Sequence, residues 1–393
     1  MGAMHRLQNV VQPYAWGSRT AIAELLGQPS PSEGPQAELW MGAHPAAPSR
    51  VAGTALSELV EDSPQTLLGE RVAAAFGPTL PFLLKVLAAA EPLSLQAHPT
   101  RSQAEAGFEA DERAGIPIDA RHRNYRDRNH KPELLCALTP FEALCGFRQV
   151  ERTLELLDAI AVDELEFVRH ELVARPNAAG LRHVFVTLMQ ADRPQQHHLV
   201  ATTVAACGRP DAAFQAERSW AVRLNARYPG DIGAVSSLLL NRVRLEPGEA
   251  IFLPAGNLHA YLDGVGVEIM ASSDNVLRGG LTPKHVNVPE LVRILDFTPL
   301  DPPRIVPRET AGELVYDAPA PEFRLGRIEL DQGRFSATPT GPEIVLCTRG
   351  TLWAQTAGAE AIELPQGASV FVPAATPSYS LSGRGTAFRA RVP

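Results

Sequence analysis

The hydrophobic period of this chain changes twice along its length, and that change limits the possible folds more than any other feature. Before about residue 149, short apolar runs are broken by Pro and Gly, as in Gln12-Pro13-Tyr14-Ala15-Trp16-Gly17 and in 37–45, AELWMGAHP. Such punctuation predicts short strands and turns. Strand character recurs at 82–87, 92–96 and 133–147, with a helix expected around 102–113. From 150 to 175 the period is helical: Leu154, Leu157, Ile160, Leu165, Val168 and Leu172 recur mostly at three- and four-residue steps. A second helical stretch runs from about 194 to 228, broken near Gly208-Arg209-Pro210. Strands resume at 241–245, followed by a Glu246-Pro247-Gly248-Glu249 turn and 250–254, and 300–393 reads as many short strands.

The resulting fold class is mainly β with a helical insertion: two β-units of the sandwich or jelly-roll type plus an α-helical domain. The expected boundaries are 1–149 with 230–298 for the first β-unit, 150–229 for the insertion, and 299–393 for the second β-unit. In the second unit, 341–346 and 367–373 resemble the halves of a barrel motif without metal ligands, which makes that unit structural. The insertion is expected to wall a cleft and supply no metal ligand, leaving His170, His183, His197 and His198 structural or solvent-facing.

The 393 residues allow two or three domains. No apolar run reaches about 18 residues, and no basic stretch precedes an apolar one at the start, so a soluble cytoplasmic protein is expected. Met1-Gly2-Ala3 ahead of Met4 reads as an added leader. The net charge of −8 argues against a general nucleic-acid binder, while Arg121, Arg123, Arg126 and Arg128 form either a solvated loop or an anion site. Cys136, Cys145, Cys207 and Cys347 lack a C-x-x-C spacing and read as reduced core thiols.

Three segments hold a credible metal site. In 93–99, LSLQAHP, a strand would point Gln96 and His98 to one face. In 129–133, NHKPE, Glu133 opens a strand; in 253–261, LPAGNLHAY, His259 follows a tight turn. Two imidazoles, a carboxylate and an amide oxygen suit zinc or another divalent ion with a position left open.

These residues resemble the cupin ligand pattern H-x-H…E…H, with Gln96 in place of the first His, and Pro254 to His259 matches the second cupin motif. The spacing between His98 and Glu133 is longer than in simple cupins. More closely, the chain is similar to the type I mannose-6-phosphate isomerase (phosphomannose isomerase) family. The matching stretches are 37–45, 80–99, 129–133, 228–231 (YPGD), 252–261 and 267–285 (VEIMASSDNVLRGGLTPKH). The resemblance implies one zinc per chain on Gln96, His98, Glu133 and His259. It implies a catalytic Arg278, with Lys131, Glu268, Asp274 and Lys284 around a small sugar-phosphate substrate. The fold it implies is two cupin-like jelly-roll units plus an α-helical domain, and the setting it implies is carbohydrate metabolism leading to GDP-mannose; a monomer without nucleic-acid or membrane partners is expected.

Aldose–ketose isomerisation moves a proton between C1 and C2 through an enediol, so a cation must stabilise the developing oxyanion. The base is open among Glu268, Lys131 and His130. Lys284, Lys85, Ser94 and Arg278 are the phosphate candidates, and Tyr261 and Trp16 complete the substrate-binding set. Asp263-Gly264-Val265-Gly266 lacks the spacing of a phosphate loop. Two other functions stay open on these residues: a metal-dependent oxygenase using His98, His259 and Glu133, and a non-catalytic sugar-binding cupin. One bias sharpens the list. Of 36 basic residues only Lys85, Lys131 and Lys284 are lysines, and all three fall beside the candidate site. An ammonium is compact and can give up its proton, which a guanidinium cannot.

Overall fold

The computed structural model describes residues 3–210 and 213–393, so Met1 and Gly2, on which the expectation of an added leader falls, lie outside the described residues. It is mainly β-sheet with helices, in two sheet units and a helical layer. In the first unit the strand order runs Arg304–Ile305, Ala250–Leu253, Glu133–Ala137, His259–Ala271, Phe82–Ala89, Glu38–Met41, Val10–Gln12. The 13-residue strand His259–Ala271 belongs to both layers. Its first half pairs with Phe141–Phe147 and its second half with Glu133–Ala137 and Phe82–Ala89. The Glu246-Pro247-Gly248-Glu249 turn joins layers rather than closing a hairpin. Leu240–Leu245 pairs with Phe141–Phe147, whereas Ala250–Leu253 pairs with Glu133–Ala137.

The second unit contains longer strands than the Pro and Gly spacing suggested: Arg324–Ala337, Glu343–Thr356 and Tyr379–Arg391. Gly350 and Gly383 sit inside these strands at positive φ, so glycine here bends a strand instead of ending it. The suspected barrel halves pair antiparallel, Glu343 opposite Val372 and Leu346 opposite Ser369.

Two pairings cross the sequence boundary drawn at 298/299. His5–Arg6 pairs with Phe371 and Val370 of the second unit, and Arg304–Ile305 pairs with Ile251 and Ala250 of the first. One core therefore runs through both units, with Leu84, Val86 and Leu134 on one side and Phe323, Ile344 and Phe388 on the other.

The insertion folds as Val150–Ile160, Glu166–Ala174, Ala178–Gln190, Arg193–Cys207 and Gln215–Arg227. Local chemistry sets the ends: Asn177 accepts from the amide of Ala179, and Asp192 with Gln195 forms a capping box. The earlier helix Arg101–Arg113 starts on a capping box of Thr100 and Gln103. Leu181, Val184 and Phe185 of the insertion share a core with Leu95, Ala97, Leu258 and Leu277. Leu95, Ala97 and Leu258 adjoin candidate ligands and Leu277 adjoins Arg278, so the helices pack against the segments that carry the site. The four cysteines are buried and free. No helix among the described residues is long and apolar enough to cross a membrane.

Candidate metal centre and active site

The backbone register brings the motif segments together. Gln96 pairs on one side with His259 and on the other with Arg278, through the two-residue strand Gln96–Ala97. His98 lies just past this strand, so a shared strand face does not align it with Gln96. Instead its carbonyl accepts from the Gly256 amide at 2.8 Å, and its Nδ1–H donates to the Asn275 carbonyl at 2.7 Å. Gly256 turns there at φ 78°, a conformation that favours glycine. Glu133 opens its strand opposite Leu253 and Met270, as expected.

His98, Glu133 and His259 are buried, and their candidate ligand atoms lie within 4.8 Å of one another. His259 Nδ1–H donates to the Asn257 carbonyl at 3.0 Å, so both imidazoles turn an unprotonated Nε2 inward. Burial pushes the His98 pKa down to about 4, against the attraction of Glu133, so the ring is neutral. His98 Nε2 is 3.2 Å from one Glu133 oxygen and His259 Nε2 is 3.4 Å from the other. With one proton of each ring committed elsewhere, the neutral rings turn acceptors toward the carboxylate, contacts that a cation among them would reconcile. Accordingly His98 Nε2 and Glu133 Oε2 are buried without a hydrogen-bond partner among the described residues. The Gln96 amide nitrogen lies 3.4 Å from His259 Nε2, and a half-turn of the amide offers its oxygen instead. Burial opposes the charge on Glu133, but the carboxyl stays well below its usual range, with the Lys131 ammonium at 3.1 Å among the causes. The donor set fits a divalent ion with neutral imidazole and carboxylate ligands.

Around this centre lies a charge ladder. Lys85 sits between Glu38 at 3.5 Å and Glu268 at 3.3 Å, with its ammonium 5.2 Å from the Trp40 ring centre. Burial opposes its charge, yet the two carboxylates raise its pKa. Tyr261 is buried and donates to Glu268 at 2.8 Å, and Trp40 Nε1 donates to Glu38 at 2.6 Å. Burial raises the Glu268 pKa, with Lys85 pulling against it. Lys131 is 3.1 Å from Glu133, while His130 turns away to Glu322 at 2.6 Å. Asp274 is half exposed and lies 3.4 Å from buried His44.

Arg278, Lys284 and Arg126 form a separate positive end. Burial lowers the pKa of Arg278 and of Lys284; Arg126 adds repulsion to both, and Arg278 to Lys284, with no offsetting carboxylate. The turn behind Arg278 is tight: a Cβ on Gly280 would lie 2.9 Å from Asp231 of the YPGD segment. Ser94 is half-buried, and Trp16 stacks on Tyr14 with centroids 5.8 Å apart. His170, His183 and His198 stand exposed on the helices beside Glu166, Glu171 and Glu164, and His197 lies against Gly230.

Residues 4–150 match the family described as phosphomannose isomerase type I, catalytic domain. The Escherichia coli K12 mannose-6-phosphate isomerase is 42% identical over 392 residues, covering 97% of this chain and 98% of the relative. The chain belongs to the mannose-6-phosphate isomerase family. The human mannose-6-phosphate isomerase is 35% identical, covering 93% of this chain and 92% of the relative. Among solved structures, a mannose 6-phosphate isomerase bound with zinc and yttrium superposes with a TM-score of 0.91 at 40% identity, covering 99% of each chain. As a member of this family the chain is an isomerase. That removes the oxygenase and the non-catalytic sugar-binding module from consideration.

While Arg126 belongs to the Arg cluster read as a solvated loop or an anion site, sequence reasoning missed Glu38, Trp40, His44 and Glu322. Nothing local marked them for the site, because their partners lie far away along the chain.

Proposed function

We propose that this chain interconverts mannose 6-phosphate and fructose 6-phosphate by proton transfer between C1 and C2 through an enediol, with one zinc ion per chain. The observation that carries the reading is the set of acceptor-to-acceptor contacts among His98, Glu133 and His259, which demand a cation at the floor of the site. Gln96, His98, Glu133 and His259 would hold that ion. When bound, it supplies positive charge to stabilise the oxyanion developing at the reacting carbons.

The protein's own groups divide the remaining work. Arg278, Lys284 and Arg126 bind the phosphate: burial and mutual repulsion disfavour the charge on Arg278 and Lys284, and an anion there would relieve it. Lys131 stands beside Glu133 and supports the oxyanion. Glu268 is the proton carrier that fits best, because it is a buried carboxyl beside the centre whose pKa burial raises, with Lys85 pulling against it. Lys85 and Tyr261 orient it. His130 and Lys131 are the other candidates, but the first is committed to Glu322 and the second to Glu133. Asp274, held beside His44, borders the sugar end with Lys131. The substrate-contact roles of Ser94 and Trp16 at the rim belong to the same reading.

A coupled assay of mannose 6-phosphate conversion, run before and after chelation and again after zinc is restored, tests this. Activity should vanish and return, and unphosphorylated mannose should be turned over far less well, because remote phosphate binding contributes to catalysis. Equal efficiency on mannose and its phosphate would remove the phosphate pocket; activity indifferent to chelation would remove the metal.

A further inference from the structure

The second β-unit carries no metal ligand, yet one of its carboxylates reaches the first unit beside the site. Glu322 sits in the turn before Arg324–Ala337, next to Phe323, which is fully buried in the core shared by both units. Its side chain is 3% exposed. One oxygen accepts from His130 Nε2–H at 2.6 Å and from the Arg101 guanidinium at 3.0 Å. The other oxygen is buried without a hydrogen-bond partner among the described residues.

The two donors belong to the two arms that carry the ligands. Arg101 follows His98 by three residues, across Pro99 and the capping box that starts Arg101–Arg113. His130 precedes Lys131 and lies three residues before Glu133, across Pro132. Prolines and a capped helix start leave little slack between each donor and its ligand. Asn275 joins the same arms elsewhere: its carbonyl takes the His98 ring proton, and its amide donates to the Asn129 carbonyl at 2.8 Å. Asn275 and Glu322 thus grip both arms at two separate points.

We propose that Glu322 is a positioning residue for the isomerisation, a clamp from the second β-unit that fixes the arm bearing Gln96 and His98 against the arm bearing Lys131 and Glu133. The clamp rests on the function proposed above but acts through Arg101 and His130, not on substrate. A buried carboxylate with one oxygen unsatisfied is costly as mere glue between units, since a hydrophobic contact there would be at least as stable. Burial opposes its ionisation, and His130 and Arg101 overcome that and keep it charged.

The test uses the full chain with Glu322→Ala and Glu322→Gln, the second guarding against a variant that fails to fold. Three quantities are read: kcat and KM on mannose 6-phosphate, the rate of zinc transfer to a chelator, and amide hydrogen exchange. Glu322→Ala should lower kcat and speed zinc release by about tenfold each, as expected when partners outside the ligand set are lost. KM should move less than about twofold. Exchange should rise in 98–104 and 128–133 and stay unchanged in 343–356. Glu322→Gln should fall between the wild type and Glu322→Ala. A lower melting temperature with wild-type kcat, zinc release and exchange in the two arms would overturn the clamp and leave simple glue. If the wild type does not act on mannose 6-phosphate, the functional reading fails, while zinc release and exchange still decide the clamp.

Discussion

In the first β-unit Lys85 pairs in register with both Trp40 and Glu268; in the second, Gly326 pairs with both Val315 and Arg389. Glu38 stands two residues before Trp40 and Glu313 two before Val315. Glu268 and Arg389 face Leu135 and Val345, each two residues into a strand that opens on a glutamate, Glu133 or Glu343. Leu253-Pro254-Ala255 and Val372-Pro373-Ala374 then lie beside those glutamates. Six residues past Leu253 comes His259; six past Val372 comes Ser378. The two units thus place carboxylates at matching points of their sheets and treat them differently.

In the second unit Arg389 reaches Glu343 at 2.7 Å and Glu313 at 3.3 Å, and Tyr379 donates to Glu343 at 2.7 Å. Both carboxylates of this ladder, Glu313 and Glu343, have their cation inside the unit. Gly326 is glycine because Glu313 occupies the room a side chain would need: a Cβ there would lie 1.7 Å from a Glu313 oxygen. In the first unit Glu38 and Glu268 share Lys85, and Glu133 has Lys131 at one oxygen, but its other oxygen faces the His259 imidazole without a hydrogen-bond partner among the described residues. The lesson is that a closed charge network makes a stable sheet, whereas a network left short of one cation makes a metal site.

The largest test of this contrast removes a ligand. His98→Ala or His259→Ala should lose zinc by elemental analysis and lower kcat/KM at least about a thousandfold, some 4 kcal/mol. Full zinc occupancy in the double variant would sink the assigned site. Next, Arg389→Met strands Glu343 in the second unit and should cost about 3 kcal/mol of stability in denaturant unfolding. Turnover per folded molecule should stay at the wild-type value. A large loss of turnover would mean that the closed network also serves the chemistry.

The third test is pH. His98 titrates near 4 in the fold and near 6.5 when unfolded, so below 6.5 the unfolded chain binds more protons. Stability of the metal-free protein should therefore be full above about pH 6.5 and decline as the pH falls toward 4. The loss is on the order of 3 kcal/mol, at 1.36 kcal/mol per unit. His98→Gln should flatten that decline, and an unchanged slope would reject a buried neutral ring.

Smaller effects separate lysine from arginine. The second unit uses Arg389 for its cation, so Lys85→Arg asks whether the first unit tolerates the same group. Lys131→Arg and Lys284→Arg should each keep fold and zinc yet lower kcat/KM about tenfold, or 1.4 kcal/mol. Lys284→Arg should act mainly on KM and Lys131→Arg mainly on kcat. Unchanged kinetics in all three would reduce the lysines to a composition accident. The smallest effect belongs to the insertion: alanine at His170, His183 or His198 should shift stability within about 0.5 kcal/mol and leave zinc untouched.

Much of this was legible from residue order alone. Periodicity separated the helical insertion from the sheets, because side-chain spacing along one element is a local property. Gln96, His98, Glu133 and His259 could be picked out because each sits in a short segment with a ligand-bearing pattern. The matching charge ladder of the second unit was not legible, since Glu313, Glu343 and Arg389 look like ordinary alternating strand residues until register aligns them. The same holds for the exchange of edge strands between units and for His44 beside Asp274. Glu322 and His130 are 192 residues apart and meet only after two sheets share a core. Local sequence fixes which face of a strand is apolar; which strand lies opposite, and so which buried charge meets which, is a long-range choice made by packing.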